Sequence, residues 1–524
     1  MSGTLPSVVL LIAILTGGPV LIAQRQPPPA PGSTERQSVE RAQELIAAGQ
    51  LDEANQAIRA ALRRYPKSGG LYNLLGITAA QQNKTGEAKA AFLQAVAYAP
   101  TLIPAYLNLA RIQYEQGEQD AAVETYRRVL RLDYNLDEAH GNLAAIFLSK
   151  GRYTDAEHQL EALSGNEKVR NSSLAMRCAA LAGSGHLEDA QKLTKQFSVP
   201  VTEQDVSRAA FTLSKLNQFS LVIQLIEPVL PNGASKELRG LLATAYAQTD
   251  QLAQARAAFD AILGEDPRQQ QLLLAAARVA YRQNDLEGTA SYLLRALDID
   301  KDNPQLQFFF GIVCIRLNLP GDALHALKEA VRLQPDNAPA NYALGAAMLT
   351  GDKSGNAALY FRKYIQLRPA DVHGRFALAV AEFEAGDNGS ARRDLLALTE
   401  NPSVSFGAHY ILGKIYRREN DYTQAGQQFL KALKMDEQNP DLHANLAAVY
   451  IQQNHLAQAR EELERALTLD SKNYLANENL LLLLRKTKDP AAEEQEQKFL
   501  AVTEKASDEQ KLLLRHIDIQ RQNN

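Results

Sequence analysis

"LYNLLGITAAQQNKTGEAKAAFLQAVAYAP", residues 71–100, is the stretch whose reading decides the fold. In its second half Ala88 and Phe92 stand four residues apart, the spacing of neighbours on one helical face. Five residues before Ala88 comes Asn83, of a type that tolerates the left-handed conformation ending a helix. The stretch reads as helix, tight turn, helix.

The same layout returns along the chain. Small residues recur at Ala54, Ala88, Ala122, Ala156, Ala190, Val222, Ala255, Thr289, Ala323, Ala357, Ala391, Ala425 and Ala459, spaced by 34 except for 32 and 33 on either side of Val222. Five residues before each stands Gly, Asn or Asp, from Gly49 and Asn83 to Asn420 and Asn454. Four residues after each comes a larger, mostly apolar side chain, with Thr194 the polar exception. Thirteen turn-formers in phase with thirteen small residues predict a tandem array of helical hairpins.

These units resemble the tetratricopeptide repeat. Gly76, Ala88, Phe92, Ala95 and Pro100 match its pattern, as do Gly311, Ala323, Ala330 and Pro335, with Leu327 in place of the aromatic. Tyr246, Ala255, Phe259 and Pro267 match again, and so do Gly413, Tyr416, Ala425, Phe429 and Ala432. The resemblance covers about residues 35–487. It implies an all-α, right-handed superhelical solenoid of antiparallel helix pairs with a concave inner surface, built from about 13 repeats.

The pattern departs at Phe197 to Glu237, where the spacing shortens, Val222 replaces alanine and Pro228 removes a backbone donor late in the second helix. This region is expected to be either a joint between two arrays or a degenerate unit. The start carries an apolar run at Val8–Leu15, small residues at Thr16–Pro19 and a candidate cleavage point after Ala23, which read as a secretory signal or a membrane anchor. The expected organisation is therefore a signal or anchor over 1–23 and a proline-rich spacer over 24–34. An N-terminal array over 35–202, a degenerate unit or joint over 203–235 and a C-terminal array over 236–487 follow. A helical cap over 488–524 closes the chain, its last helix starting at the Ser507/Gln510 capping box.

The 56 basic and 60 acidic residues are mixed along the chain, with a net charge of −4, so no basic stripe points to nucleic acid. Cys178 and Cys314 are too far apart for a disulfide framework and read as small core residues. His140, His409 and His443 share one place in their first helices, where the repeat usually has an aromatic, and read as packing residues rather than metal ligands. No nucleophile, base and oxyanion-donor set is found, and the expectation is a non-enzymatic protein without cofactor or metal.

In the repeat family, ligands commonly lie on first-helix positions three and two before the glycine site and one, four and five after it. Carried residue by residue, this implies a peptide- or protein-binding face made of Leu274, Arg278 and Tyr281, then Phe308, Phe309, Ile312, Ile315 and Arg316, then Tyr342, Phe376, Phe383, Tyr410, Lys414 and Arg417. The same positions also serve packing between units, and both readings stand at this point. Aromatic anchors beside Arg and Lys suit a segment with apolar side chains and a carboxylate or acidic residues. Asn108, Arg111, Tyr114 and Asn142 in early units, and Asn445 and Asn479 in late ones, are types that can hold a peptide backbone.

On the groove reading, replacing Phe309 and Phe376 by serine should leave melting intact. Phe310, next to Gly311, is expected in the packed seam. The chain is expected to be an exported interaction scaffold, periplasmic or secreted. A membrane-tethered assembly factor of an envelope polysaccharide or protein export system is the alternative.

Overall fold

The computed structural model describes residues 34–349 and 354–503, in which every regular element is helical. The expected signal or anchor, nearly all of the proline-rich spacer and the last helix of the cap lie outside these residues. The chain divides into two compact units, Met1–Ala258 and Phe259–Asn524. The expected joint at 203–235 falls inside the first of them.

Each hairpin forms because its turn can close. Asn83, Asn217, Asp250, Asn284, Asn318, Asn420 and Asn454 have φ between 57° and 63°, and Gly49, Gly117, Gly151, Gly185 and Gly386 also have positive φ. Twelve of the thirteen expected turn-formers thus adopt the left-handed conformation, and Asp352 lies outside the described residues. Lys84 N–H then reaches back to the Ala79 carbonyl at 2.9 Å, and Asp285, Leu319 and Asp421 repeat the bond to Ala280, Cys314 and Tyr416. These bonds satisfy the carbonyls that a helix end leaves open.

The two helices of a hairpin meet where glycine removes a side chain. A Cβ on Gly76 would stand 2.4 Å from the Phe92 ring, and one on Gly413 would stand 2.5 Å from Phe429. The small first-helix residue and the bulky second-helix residue are thus one lock, which the 34-residue spacing repeats. Phe92, Phe259, Leu327, Phe361 and Phe429 are all essentially buried by it.

In the unit ending at Ala258, the irregular region has a local cause. The second helices Leu187–Thr194 and Phe219–Ile226 have only 8 residues each, and the latter runs into a 3-10 turn, Glu227–Asn232, carrying Pro228 and Pro231. The first helix Asn171–Gly183 packs directly on the next first helix, Glu203–Lys215. Thr194, the polar exception, donates its hydroxyl to Gln224 Oε1 at 2.9 Å, replacing an apolar contact with a hydrogen bond to the next second helix.

In the unit from Phe259 onward, Gln270–Arg282 pairs with Leu286–Ile299, Pro304–Arg316 with Pro320–Leu333, and Ala338–Leu349 with Ser354–Leu367. Val372–Glu384 then pairs with Asn388–Leu396, Ser405–Arg418 with Tyr422–Leu433, and Pro440–Gln452 with Leu456–Leu469. Tyr474–Thr487 is closed by Ala492–Thr503, whose buried Gln495 donates to Asn477 Oδ1 at 2.9 Å and to its carbonyl at 3.2 Å.

Candidate functional site

The fourteen first-helix residues all lie in the unit from Phe259 onward, and they separate into two groups. Tyr342, Phe376, Phe383 and Tyr410 are at most 3% exposed, Ile312 is 5% exposed and Lys414 is 7% exposed. These six are interior residues, so at these positions the packing reading replaces the groove.

The cause lies in their neighbours. The Tyr342 ring stands edge-on to Phe361 and Tyr364 of the following second helix, at 5.3 and 5.0 Å between centres. Gly407 brings the helix Ser405–Arg418 onto Phe376, because a Cβ there would stand 2.5 Å from that ring. Tyr410 meets Phe406 and Phe429 at 6.5 and 6.3 Å. Phe383 is roofed by Arg418, whose guanidinium lies 3.8 Å from the ring centre, and by the Lys414 ammonium at 5.8 Å. A large residue at these addresses is swallowed when its own second helix supplies a matching ring or the next unit supplies a small residue or a covering cation.

The remaining eight stay in reach of solvent. Leu274, Tyr281, Phe308, Phe309, Ile315 and Arg417 are half-buried, and Arg278 and Arg316 are exposed. Tyr281 and Phe309, on adjacent first helices, meet edge to face at 5.4 Å and 75°. Arg316 holds its guanidinium 4.8 Å from the Tyr281 ring centre and donates through Nη2 to Asn284 Oδ1 at 2.6 Å. Phe308 and Ile315 pack against the hydrophobic core of this unit. Phe310, expected in the packed seam, is only half-buried.

The result is a patch on Gln270–Arg282 and Pro304–Arg316 with an aromatic floor and arginines at 278, 282 and 316. None of the five first-helix addresses in these two units carries Asp or Glu. A cationic rim over a half-exposed ring pair can seat an apolar side chain beside a carboxylate.

Sequence reasoning missed a structural role for the cation at the Arg316 address in two later units. Arg418 Nη1 donates to the Phe383 carbonyl at 3.0 Å, and Lys486 Nζ donates to the Ile451 carbonyl at 2.9 Å, each 35 residues back. At 418 and 486 the cation five residues after the glycine site thus closes the C-terminal end of the preceding first helix, where the helix dipole favours positive charge, whereas Arg316 reaches the side chain of the turn residue Asn284. The recurrence of Arg or Lys at 316, 418 and 486 was the available signal.

The asparagines are likewise engaged within the fold. Asn108 donates to Asn73 Oδ1 at 3.0 Å, Asn142 to the Glu138 carbonyl at 2.9 Å, Asn445 to the Asp441 carbonyl at 2.8 Å and Asn479 to the Ala444 carbonyl at 3.2 Å. Arg111 pairs with Glu138 at 2.8 Å.

The three buried histidines reach across their own hairpins. His140 and His409 contact Gln159 and Gln428 through Nδ1 at 2.9 and 2.7 Å, and His443 contacts Glu462 at 2.5 Å. Among the described residues no group of three or more His, Cys, Asp or Glu is placed to hold a metal ion. Burial pushes the Cys178 thiol up to about 12, and burial with Asp322 nearby pushes Cys314 up to about 11, so neither is a thiolate near neutrality.

Glu382 is a further buried polar group. It is 4% exposed, accepts from Arg362 Nη2 at 2.8 Å through Oε1, and leaves Oε2 without a hydrogen bond. Burial first, with Asp394 and Asp387 adding repulsion against Arg362, holds its carboxyl above the ordinary value of 4.5.

Sequence models of the tetratricopeptide repeat match residues 39–103, 110–151, 241–304, 315–372, 413–454 and 440–473, together more than half of the chain. Tetratricopeptide repeat protein 21A of Mus musculus is 28% identical over 148 residues, 27% of this chain and 11% of that protein. Tetratricopeptide repeat protein 21B of Xenopus laevis is 24% identical over 201 residues, 37% of this chain and 14% of that protein. The chain therefore spans only a small part of the length of these relatives.

Among solved structures, that of the APC/C hetero-tetramer Cut9-Hcn1 aligns over 86% of this chain and 96% of its own, at 14% identity and a TM-score of 0.36. A tetratricopeptide repeat protein from Parabacteroides merdae aligns over 48% of this chain and all of its own, at 17% identity and a TM-score of 0.37. Repeat matches from residue 39 to residue 473, on an all-helical array of hairpins with left-handed turns, place the chain in the tetratricopeptide-repeat family.

Proposed function

We propose that the protein is a non-enzymatic interaction scaffold that captures a partner protein through the first-helix face of Gln270–Arg282 and Pro304–Arg316. The reading rests on the edge-to-face pair Tyr281–Phe309, half-exposed beside Arg278 and Arg316, on a face without acidic residues at the five addresses. This ring pair stays half-buried, whereas the rings at 342, 376, 383 and 410 are at most 3% exposed. The partner segment it suits is apolar and acidic.

The scaffold acts by equilibrium binding, and export to a periplasmic or secreted location is part of the proposal. The apolar segment Leu5–Ala23 supports a second reading, a membrane-tethered assembly factor of an envelope polysaccharide or protein export system. Crosslinking pull-down with the full chain tests the scaffold, with Phe309→Ser and Arg278→Glu as controls. A partner captured equally by wild type and both variants would sink the assignment to this face. Membrane fractionation with N-terminal sequencing of the mature chain separates the two locations.

A further inference from the structure

A second surface lies on the outer helices of the same unit, away from the first-helix addresses. The second helix Tyr422–Leu433 has 12 residues, whereas Leu456–Leu469 beside it has 14. Met435 occupies the address of Leu469, ten residues after the small position, but lies beyond the helix end and is 52% exposed. Where that last half-turn is missing, a cleft of about 800 Å³ opens between the two helices.

Leu430, Leu433 and Leu469 supply its apolar lining, and Leu430 and Leu469 are 42% and 43% exposed. His443 closes one side, held by Glu462 at 2.5 Å. The volume is in the range that accepts several large side chains. Because the walls are neighbouring second helices, the opening is a groove, the shape that receives an amphipathic helix with anchors at i, i+3, i+4 and i+7.

The charges around the groove select the partner. Arg465 is committed to Glu461 at 2.7 Å. The other charged lining residues are then Lys434, Glu437 and Glu464, an excess of one carboxylate. It is the opposite of the arginine-rich first-helix patch. Burying an apolar stripe here while leaving both carboxylates near lysine or arginine satisfies shape and charge together.

We propose that this cleft docks an amphipathic helix of a partner protein whose apolar stripe is flanked by lysine or arginine. The scaffold then holds two partners of different chemistry, one on each helix layer.

The test uses the full chain and a fluorescein-labelled helical peptide of about 18 residues, with leucines at i, i+3, i+4 and i+7 and lysines beside them. A second peptide carries glutamate at every lysine position. Anisotropy should show saturable binding of the lysine peptide only. Leu430→Ser with Leu469→Ser should weaken it by roughly tenfold or more, as loss of two anchors implies. Glu437→Lys with Glu464→Lys should weaken it several-fold, and Phe309→Ser should leave it unchanged. Both leucines are already exposed, so melting of the first double variant should match wild type.

Failure of both peptides to bind, equal binding of the glutamate peptide, or unchanged binding to the leucine variant would overturn the proposal. Sedimentation velocity showing a wild-type dimer that the leucine variant loses would assign the cleft to a second copy instead.

Discussion

Arg418 covers the face of Phe383 from the next first helix, its guanidinium 3.8 Å from the ring centre, and also donates to the backbone carbonyl of that same residue at 3.0 Å. One side chain thus shields a core ring and closes a helix end across a unit boundary. Arg418→Ala should destabilise this boundary by about 1–2 kcal/mol, combining a cation–ring contact with a charged hydrogen bond to a helix C-terminus. Arg418→Lys should fall between, because an ammonium keeps the charge but lacks the flat stacking surface. A double-mutant cycle with Phe383→Leu, read by urea unfolding, measures the coupling.

Phe309 and Phe376 hold comparable first-helix addresses, yet serine should have unequal effects at the two. Phe376 is 2% exposed under Gly407, and truncating a buried phenylalanine costs about 3–5 kcal/mol. Phe309 is half-buried and should cost roughly 1 kcal/mol while weakening partner capture. Hydrogen exchange should show lost protection in Val372–Glu384 and Ser405–Arg418 for Phe376→Ser and near-normal protection around Phe309→Ser. Burial of Phe376 therefore speaks against the expectation that the two substitutions together leave melting intact.

That contrast shows where the sequence stops being legible. The hairpins could be read because Asn83, Asn284 or Asn420 need only their own backbone to adopt positive φ, a local property. Whether a first-helix ring faces solvent depends on what the neighbouring helices supply: Gly407 of the next unit lets Phe376 sink, and Phe361 with Tyr364 of the same hairpin enclose Tyr342. Tyr281 and Phe309 meet each other, with Arg316 over Tyr281, and both stay half-buried. Such pairwise fit between residues on different helices does not show in the spacing of either residue alone.

Glu382 makes the pH dependence testable. Its folded carboxyl is held above the ordinary 4.5, mainly by burial, so the native chain binds this proton more tightly than the unfolded chain. The stabilisation is then fully present below the ordinary value and is lost as pH rises through the folded one. Glu382→Gln keeps an acceptor for Arg362 and cannot ionise, so it should melt higher than wild type near neutrality. The difference should shrink as pH falls toward 4.5. Melting curves collected across that range decide it, and a constant difference would show that Glu382 titrates as a solvated carboxylate.

Two glycines that both lie within first helices should respond to alanine with opposite signs. Alanine gains up to about 1 kcal/mol over glycine in a helix. At Gly141, where a Cβ would meet nothing within 4 Å, that gain should appear almost whole. At Gly413 the new methyl would stand 2.5 Å from the Phe429 ring, which is fully buried and cannot move aside. Overpacking of this kind costs about 1–3 kcal/mol, enough to outweigh the helical gain. Urea unfolding of the two variants should therefore shift upward for Gly141→Ala and downward for Gly413→Ala, and a stabilised Gly413→Ala would mean that the glycine–phenylalanine lock does not hold these hairpins together.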